Sequence, residues 1–192
     1  MTLNYEDKFI YYFFFYFKKY KLAVMNSIVN SSIATVSKSK WILDQLTNEQ
    51  LTNTNIPPYY SCVGTHIRHI LDFYKCIFNG LENKLVDLTD RSRETQVERD
   101  CDYALSHVNT VIEELAKMTD LDPRPSIKVI DDLGQGKMEI EYTLGALLAQ
   151  ANSHTIHHYA IISYLLENLG IAINDDTFGY NPTTPITNIS SN

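Results

Sequence analysis

The sequence predicts an all-α protein, an antiparallel four-helix bundle with a small β-hairpin inserted before the last helix. Three observations predict it. Four long stretches carry apolar side chains at spacings of three and four, the period of an amphipathic helix. Polar, proline- or glycine-bearing segments separate them, so successive helices run antiparallel. Between the third and fourth, the chain from Ser126 to Tyr142 partly alternates instead, around the loop Asp131-Asp132-Leu133-Gly134-Gln135-Gly136. That is the pattern of a hairpin.

The first helix is expected from about Ser27 to Leu46, where Ile28, Ile33, Val36, Trp41, Leu43 and Leu46 form an imperfect stripe. A polar turn then ends in Pro57-Pro58, which stops a helix because proline lacks an N–H and clashes with the preceding turn. The second is expected from about Tyr59 to Leu81, with Val63, Ile67, Ile70, Tyr74, Ile77 and Leu81 inward and Asn79-Gly80 as its stop. Glu82 to Glu94 is charged and reads as a loop. The third runs from about Thr95 to Met118, and Asp122-Pro123-Arg124-Pro125 ends it. The last runs from about Thr143 to Leu169 and stops at Gly170, with Leu144, Leu147, Ala151, His154, His158, Ile161 and Leu165 on one face. Residues 25–170 thus form the bundle, and residues 171–192 an irregular tail in which Phe178, with Gly179-Tyr180 and Pro182, is a candidate to fold back over the bundle end.

Residues 1–24 form an aromatic extension. Phe9 to Phe17 reads FIYYFFFYF, nine apolar residues, well short of the ~20 that span a bilayer as a helix. Glu6 and Asp7 offset Lys8, and lysines follow the run, which fits a signal peptide poorly. Three readings stand: an interfacial anchor, an extra element packed on the domain, or upstream sequence translated in error. Helical periodicity begins just after Met25, and the last reading, with the native start at Met25, is the expectation.

Composition narrows the function. Of 192 residues, 44% are apolar and 20% charged, enough to bury one core. The net charge of −7 argues against general nucleic-acid binding, which needs a basic excess or stripe. Three cysteines, Cys62, Cys76 and Cys101, form no CxxC pair, which points to a cytoplasmic, reduced protein without a disulfide framework. Nucleotide-binding glycine loops are absent. No stable membrane insertion is expected.

The histidines carry the chemistry. Five of the six fall in two clusters, Thr65-His66-Ile67-Arg68-His69 and His154-Thr155-Ile156-His157-His158. His154 and His158 are four apart, one helical turn, and share the inward stripe of the last helix. Two imidazoles there, joined by one from a facing helix, make three neutral nitrogen ligands. Such a set binds zinc, nickel or iron and leaves positions open for water or substrate. The alternative is that these are core histidines satisfied by neighbouring acids. The stripe of the second helix points closer to His66 than to His69. His157 is expected to face outward and His107 to be structural. Asp72 is a candidate hydrogen-bond partner for a ligating ring, with Asp100 and Asp102 as others. Arg91 and Arg93 are candidates for meeting an anionic substrate, Tyr59, Tyr60, Tyr142 and Tyr159 for lining a pocket, and Cys62 for a nearby thiol.

These residues resemble the DinB-like superfamily of metal proteins, which includes DinB and YfiT. The resemblance rests on Val63-Gly64-Thr65-His66-Ile67-Arg68-His69-Ile70-Leu71-Asp72 and on His154-Thr155-Ile156-His157-His158, and extends over about Ser27 to Gly170. It implies a ligand on the second helix five residues after a small residue, here His69 after Gly64, and two from the last helix, His154 and His158. His66 then becomes an alternate ligand or a pocket residue, and Asp72 an outer partner. Where the family often has Arg-Gly-Gln after the last ligand, this chain has Tyr159-Ala160-Ile161. The resemblance implies a divalent metal ion, a low-molecular-weight thiol as co-reactant, and a thiol-linked transferase or hydrolase acting on a small-molecule substrate. The alternative is a non-catalytic metal-binding or structural protein, for which a homodimer is open.

Overall fold

The computed structural model describes residues 5–185, with side chains from Tyr16 onward. Its elements in chain order are α1 (Tyr5–Gln45), α2 (Asn48–Leu51), α3 (Val63–Gly80), β1 (Leu85–Asp87), α4 (Cys101–Lys117), β2 (Ser126–Asp132), β3 (Lys137–Thr143) and α5 (Leu144–Asn168). The long helices pack side by side: α1 contacts α4 and α5, and α3 contacts the same two. Their seam is one continuous apolar core. Met25, Val29 and Val36 enter it from α1, Ile67, Ile70, Tyr74 and Ile77 from α3, Val108, Val111 and Leu115 from α4, and Leu147, Ala151, Ile162 and Leu166 from α5.

The class is mixed α/β, which corrects the all-α bundle expected from the sequence. Besides the expected hairpin there is a third strand, β1, and the sheet order is β1-β2-β3. β2 and β3 are antiparallel, with Val129 opposite Ile140, whereas β1 lies parallel to β2, with Val86 opposite Val129. A parallel pair needs a long crossover, and the segment containing α4 supplies it. β1 escaped the sequence because three residues are too few to display a period, and they sit in a charged stretch. Val86 and Val129 are nonetheless wholly buried. The backbone of β1 lies so close to the end of α3 that a Cβ on Gly80 would come within 2.4 Å of the Leu85 carbonyl oxygen.

The helix ends follow local chemistry. Cys62 caps α3, its sulfur accepting from the Thr65 N–H, so the helix begins later than the expected Tyr59. Asp100 caps α4 by accepting from the Tyr103 N–H at 3.0 Å, and Thr143 caps α5 by accepting from the Ala146 N–H at 3.2 Å. At the other end of α5, Gly170 adopts φ +72°, and Ile171 N–H donates to Leu166 O at 2.9 Å, a Schellman closure.

α1 is longer than expected, running unbroken from Tyr5 through the region where periodicity begins. Most of the aromatic run Phe9–Phe17 lies outside the residues whose side chains are described. Phe17, the last of the run, lies under the Arg124 guanidinium, 4.3 Å from it, and Lys21 pairs with Asp122 at 2.7 Å. The tail returns across the helices: Phe178 is buried and stacks on Tyr159 with ring centres 4.8 Å apart, and Lys38 pairs with Asp175 at 2.6 Å. Among the described residues, no helix is long and apolar enough to cross a membrane.

Candidate metal centre

On α3 the fully core-facing row is Val63, Ile67, Ile70, Tyr74 and Ile77. His66, His69 and Phe73, spaced three and four, form the adjacent row on its flank. That flank meets α5 where His154 and the buried His158 project. Two helices thus bring four imidazoles together, from residues that are local pairs on each helix and remote in sequence between them.

The nitrogen geometry is tight. His154 Nε2 lies 2.8 Å from His69 Nε2 and 3.1 Å from His158 Nε2. One ligand nitrogen from each of His69, His154 and His158 lies within 4.8 Å of the other two. Two nitrogens sharing one ion at about 2.0–2.1 Å can be no more than about 4.2 Å apart, and both close pairs meet that condition. With the third pair within 4.8 Å, the three histidines form a group that could hold a metal ion.

His66 stands behind His158. Its Nδ1 lies 2.9 Å from His158 Nδ1, and its Nε2 lies 2.9 Å from the Ser61 hydroxyl oxygen. If His158 offers Nε2 to an ion, its proton sits on Nδ1 and is donated to His66. His66 then donates from Nε2 to Ser61. This fixes ring and tautomer together, as an outer partner of a ligating histidine usually does. Ser61 was not singled out in the sequence, since a lone serine in a loop gives no signal. Behind His69, Arg91 Nη1 donates to Nδ1 at 3.1 Å, while Arg91 Nε donates to Leu88 O at 2.9 Å. Phe73 covers His154 with ring centres 4.9 Å apart.

The electrostatics keep these rings neutral. Burial lowers the His69 pKa to about 4, helped by the Arg91 charge. Burial lowers His158 further, to about 2, with His69 and His154 as neighbours. His66 and His154 are lowered too, again first by burial. Neutral rings with free lone pairs are what a divalent ion requires.

The remaining candidates lie elsewhere. Asp72 is buried on α3, but its carboxylate accepts from Arg68 Nη1 at 2.7 Å and from the Ser92 hydroxyl at 2.9 Å. Arg68 also donates through Nε to Glu98. Glu98 comes this close because α3 abuts the loop before α4 at Gly64, where a Cβ would lie 2.2 Å from the Glu98 carbonyl oxygen. Asp100 is the cap of α4, and the Cys62 sulfur is engaged at the start of α3. The Tyr159 hydroxyl bonds Ser39 at 2.6 Å on α1, while Tyr59 and Tyr60 are exposed. His157 is exposed on α5. The His107 ring packs tilted against Tyr103, with ring centres 4.7 Å apart, and lies 3.7 Å from Glu94. A groove of about 990 Å³ lies along the other side of α5, lined by Tyr164, Glu167 and Tyr180 among others. No protein-family model matches the chain, and no curated protein matches its sequence.

Proposed function

We propose that this chain is a divalent-metal protein related to the DinB-like superfamily. In this reading His69, His154 and His158 are the ligands, and the reaction is a thiol-linked transfer or a hydrolysis on a small molecule. The observation that carries the reading is the convergence of three neutral imidazole nitrogens from two facing helices. The superfamily likeness adds to it through two helices, α3 with His69 five residues after Gly64 and α5 with its His154–His158 pair. Neither depends on the sheet.

A bound zinc, nickel or ferrous ion would supply Lewis acidity, lowering the pKa of a thiol or water presented to it. The chain's own residues do the rest. His66 and Ser61 hold the His158 ring in one orientation, and Phe73 packs against His154. Three protein ligands leave room for a small molecule.

Metal content by elemental mass spectrometry tests the reading. A stoichiometry near one is expected after supply of zinc, nickel or ferrous iron, and its loss in His69→Ala and His158→Ala. Helix content should barely change, because alanine is the strongest helix former. Absence of metal from the wild-type protein under every supply overturns the reading. Metal bound tightly with no exchangeable thiol site would favour the non-catalytic alternative.

A further inference from the structure

We infer that Arg91 is a movable arm: an ion on the histidines releases it from His69, and the freed guanidinium takes the carboxylate of the molecule that completes the site. The inference rests on the metal reading above and follows from which partners can reverse their hydrogen bonds.

Without an ion the protons run inward. Arg91 can only donate, so His69 Nδ1 accepts from it. The His69 proton then sits on Nε2 and is donated to His154 Nε2. On the other side, Ser61 O–H donates to His66 Nε2, His66 Nδ1–H donates to His158 Nδ1, and His158 Nε2–H points at His154 Nε2. The single lone pair of His154 Nε2 is taken by the nearer His69 N–H at 2.8 Å, so the His158 contact at 3.1 Å is the weakest link.

An ion needs the Nε2 lone pairs of His69, His154 and His158, so the His69 and His158 protons move to Nδ1, where that of His154 already sits. The rings stay neutral and no net proton leaves. The Ser61–His66–His158 chain accommodates this without moving, because a hydroxyl accepts as well as it donates. The His69 side cannot. Its Nδ1–H would face the N–H of Arg91, two donors at 3.1 Å. The guanidinium must turn away from His69.

Where it turns matters. Arg91 stays tethered by Nε to the Leu88 carbonyl, so it pivots beside the cluster and remains there. Its charge is not already spent. Arg68, the other arginine near α3, is paired with both Asp72 and Glu98, whereas Arg91, among the described residues, has no carboxylate within ion-pair reach. A half-buried guanidinium with its outer edge free presents two parallel N–H groups, the fork that suits a carboxylate. One unpaired positive charge calls for a group of one negative charge. The favoured ligand is therefore a thiol or other metal-binding molecule bearing a carboxylate within a few bonds.

The test uses full-length protein loaded with cobalt(II), whose thiolate absorption band reports binding directly. Mercaptoacetate and 2-mercaptoethanol share the thiol and differ in the carboxylate. Wild type and Arg91→Gln are titrated with both, so any chelation by mercaptoacetate itself cancels in the comparison. The preference for mercaptoacetate should be about tenfold greater in wild type, the effect of a charge-assisted hydrogen bond. Arg91→Lys, which keeps the charge and loses the fork, should fall between them, and it carries the test if circular dichroism shows Arg91→Gln misfolded. Equal preference in wild type and variant, with cobalt bound in both, overturns the role of Arg91 and leaves the metal reading standing. Failure of the wild type to take up cobalt overturns both.

Discussion

His66 and His158 face each other through their Nδ1 atoms at 2.9 Å, so whichever ring donates, the other must accept. This ties the orientation of a candidate ligand to a residue that does not itself converge on the ion. Outer partners of this kind typically contribute 10–100-fold in metal affinity. His66→Ala should therefore weaken zinc binding by roughly that factor and keep a stoichiometry near one, while His69→Ala loses the ion. Competition with a chromophoric chelator measures both. Loss of stoichiometry in His66→Ala together with retention in His69→Ala would exchange their roles.

Arg91 acts on the same ion in the opposite sense. Its guanidinium lies 3.1 Å from His69 Nδ1 and must leave before His69 can ligate through Nε2. It also brings a positive charge toward a divalent cation. Arg91→Gln should bind zinc or cobalt roughly 3–10-fold more tightly, since removing one like charge at a half-exposed position is worth about 1 kcal/mol. The gain should shrink at high salt, as screening dictates. Isothermal titration at two ionic strengths checks it. A weaker affinity in Arg91→Gln would mean that the arginine supports the site and does not compete with the ion.

Asp72 is wholly buried and holds Arg68 and Ser92, with no ring of the cluster bonded to it. Its role follows from that pairing. Asp72→Asn keeps the shape and removes the charge, leaving Arg68 with Glu98 alone. Breaking a buried pair costs ~3–5 kcal/mol, and the partial exposure of Arg68 together with its surviving Glu98 contact reduces this to about 2–3 kcal/mol. Urea unfolding of the metal-free protein should show that loss, while metal stoichiometry stays as in wild type. A variant of normal stability that no longer binds metal would place Asp72 in the site instead.

Parts of this arrangement were legible in the sequence for a physical reason. His154 and His158 are one turn apart, and a local helical period fixes their common face. Between His66 and His69 the apolar stripe points closer to His66, while the family resemblance selects His69, and it is His69 that the structure groups with His154 and His158. The stripe misleads because both histidines lie on the flank row beside Ile67 and Ile70. The structure uses the row at two levels, His69 meeting His154 and His66 meeting His158. Ser61, Glu98 and the Arg91 contact depend on where loops return after a fold is made. The parallel strand Leu85–Asp87 is likewise visible only beside β2. Thr143 caps α5 where the last helix is expected to begin, whereas α4 starts at Cys101, later than the expected Thr95, because the Asp100 side chain accepts from the Tyr103 N–H and fixes its first turn there.

The last consequence concerns pH in the metal-free protein. Burial lowers the pKa of all four clustered rings below the ordinary imidazole value near 6.5, His69 to about 4. Above 6.5 these rings are neutral in both folded and unfolded chains and do not affect the balance. Between about 6.5 and 4 the unfolded chain takes up protons that the folded cluster refuses, so the unfolded state binds more protons and stability falls as pH falls. Carboxylates held in ion pairs protonate at lower pH and push the same way, which would blur the cause. The two are separable. His158→Gln removes the ring with the largest lowering, so its urea midpoint should decline less steeply than wild type from pH 7.5 to 5. Excess zinc, which binds only the deprotonated rings, should raise the wild-type midpoint at pH 7.5 and lose that effect toward pH 5. Parallel declines in wild type and His158→Gln, with or without zinc, would show that the imidazoles are not the groups that titrate.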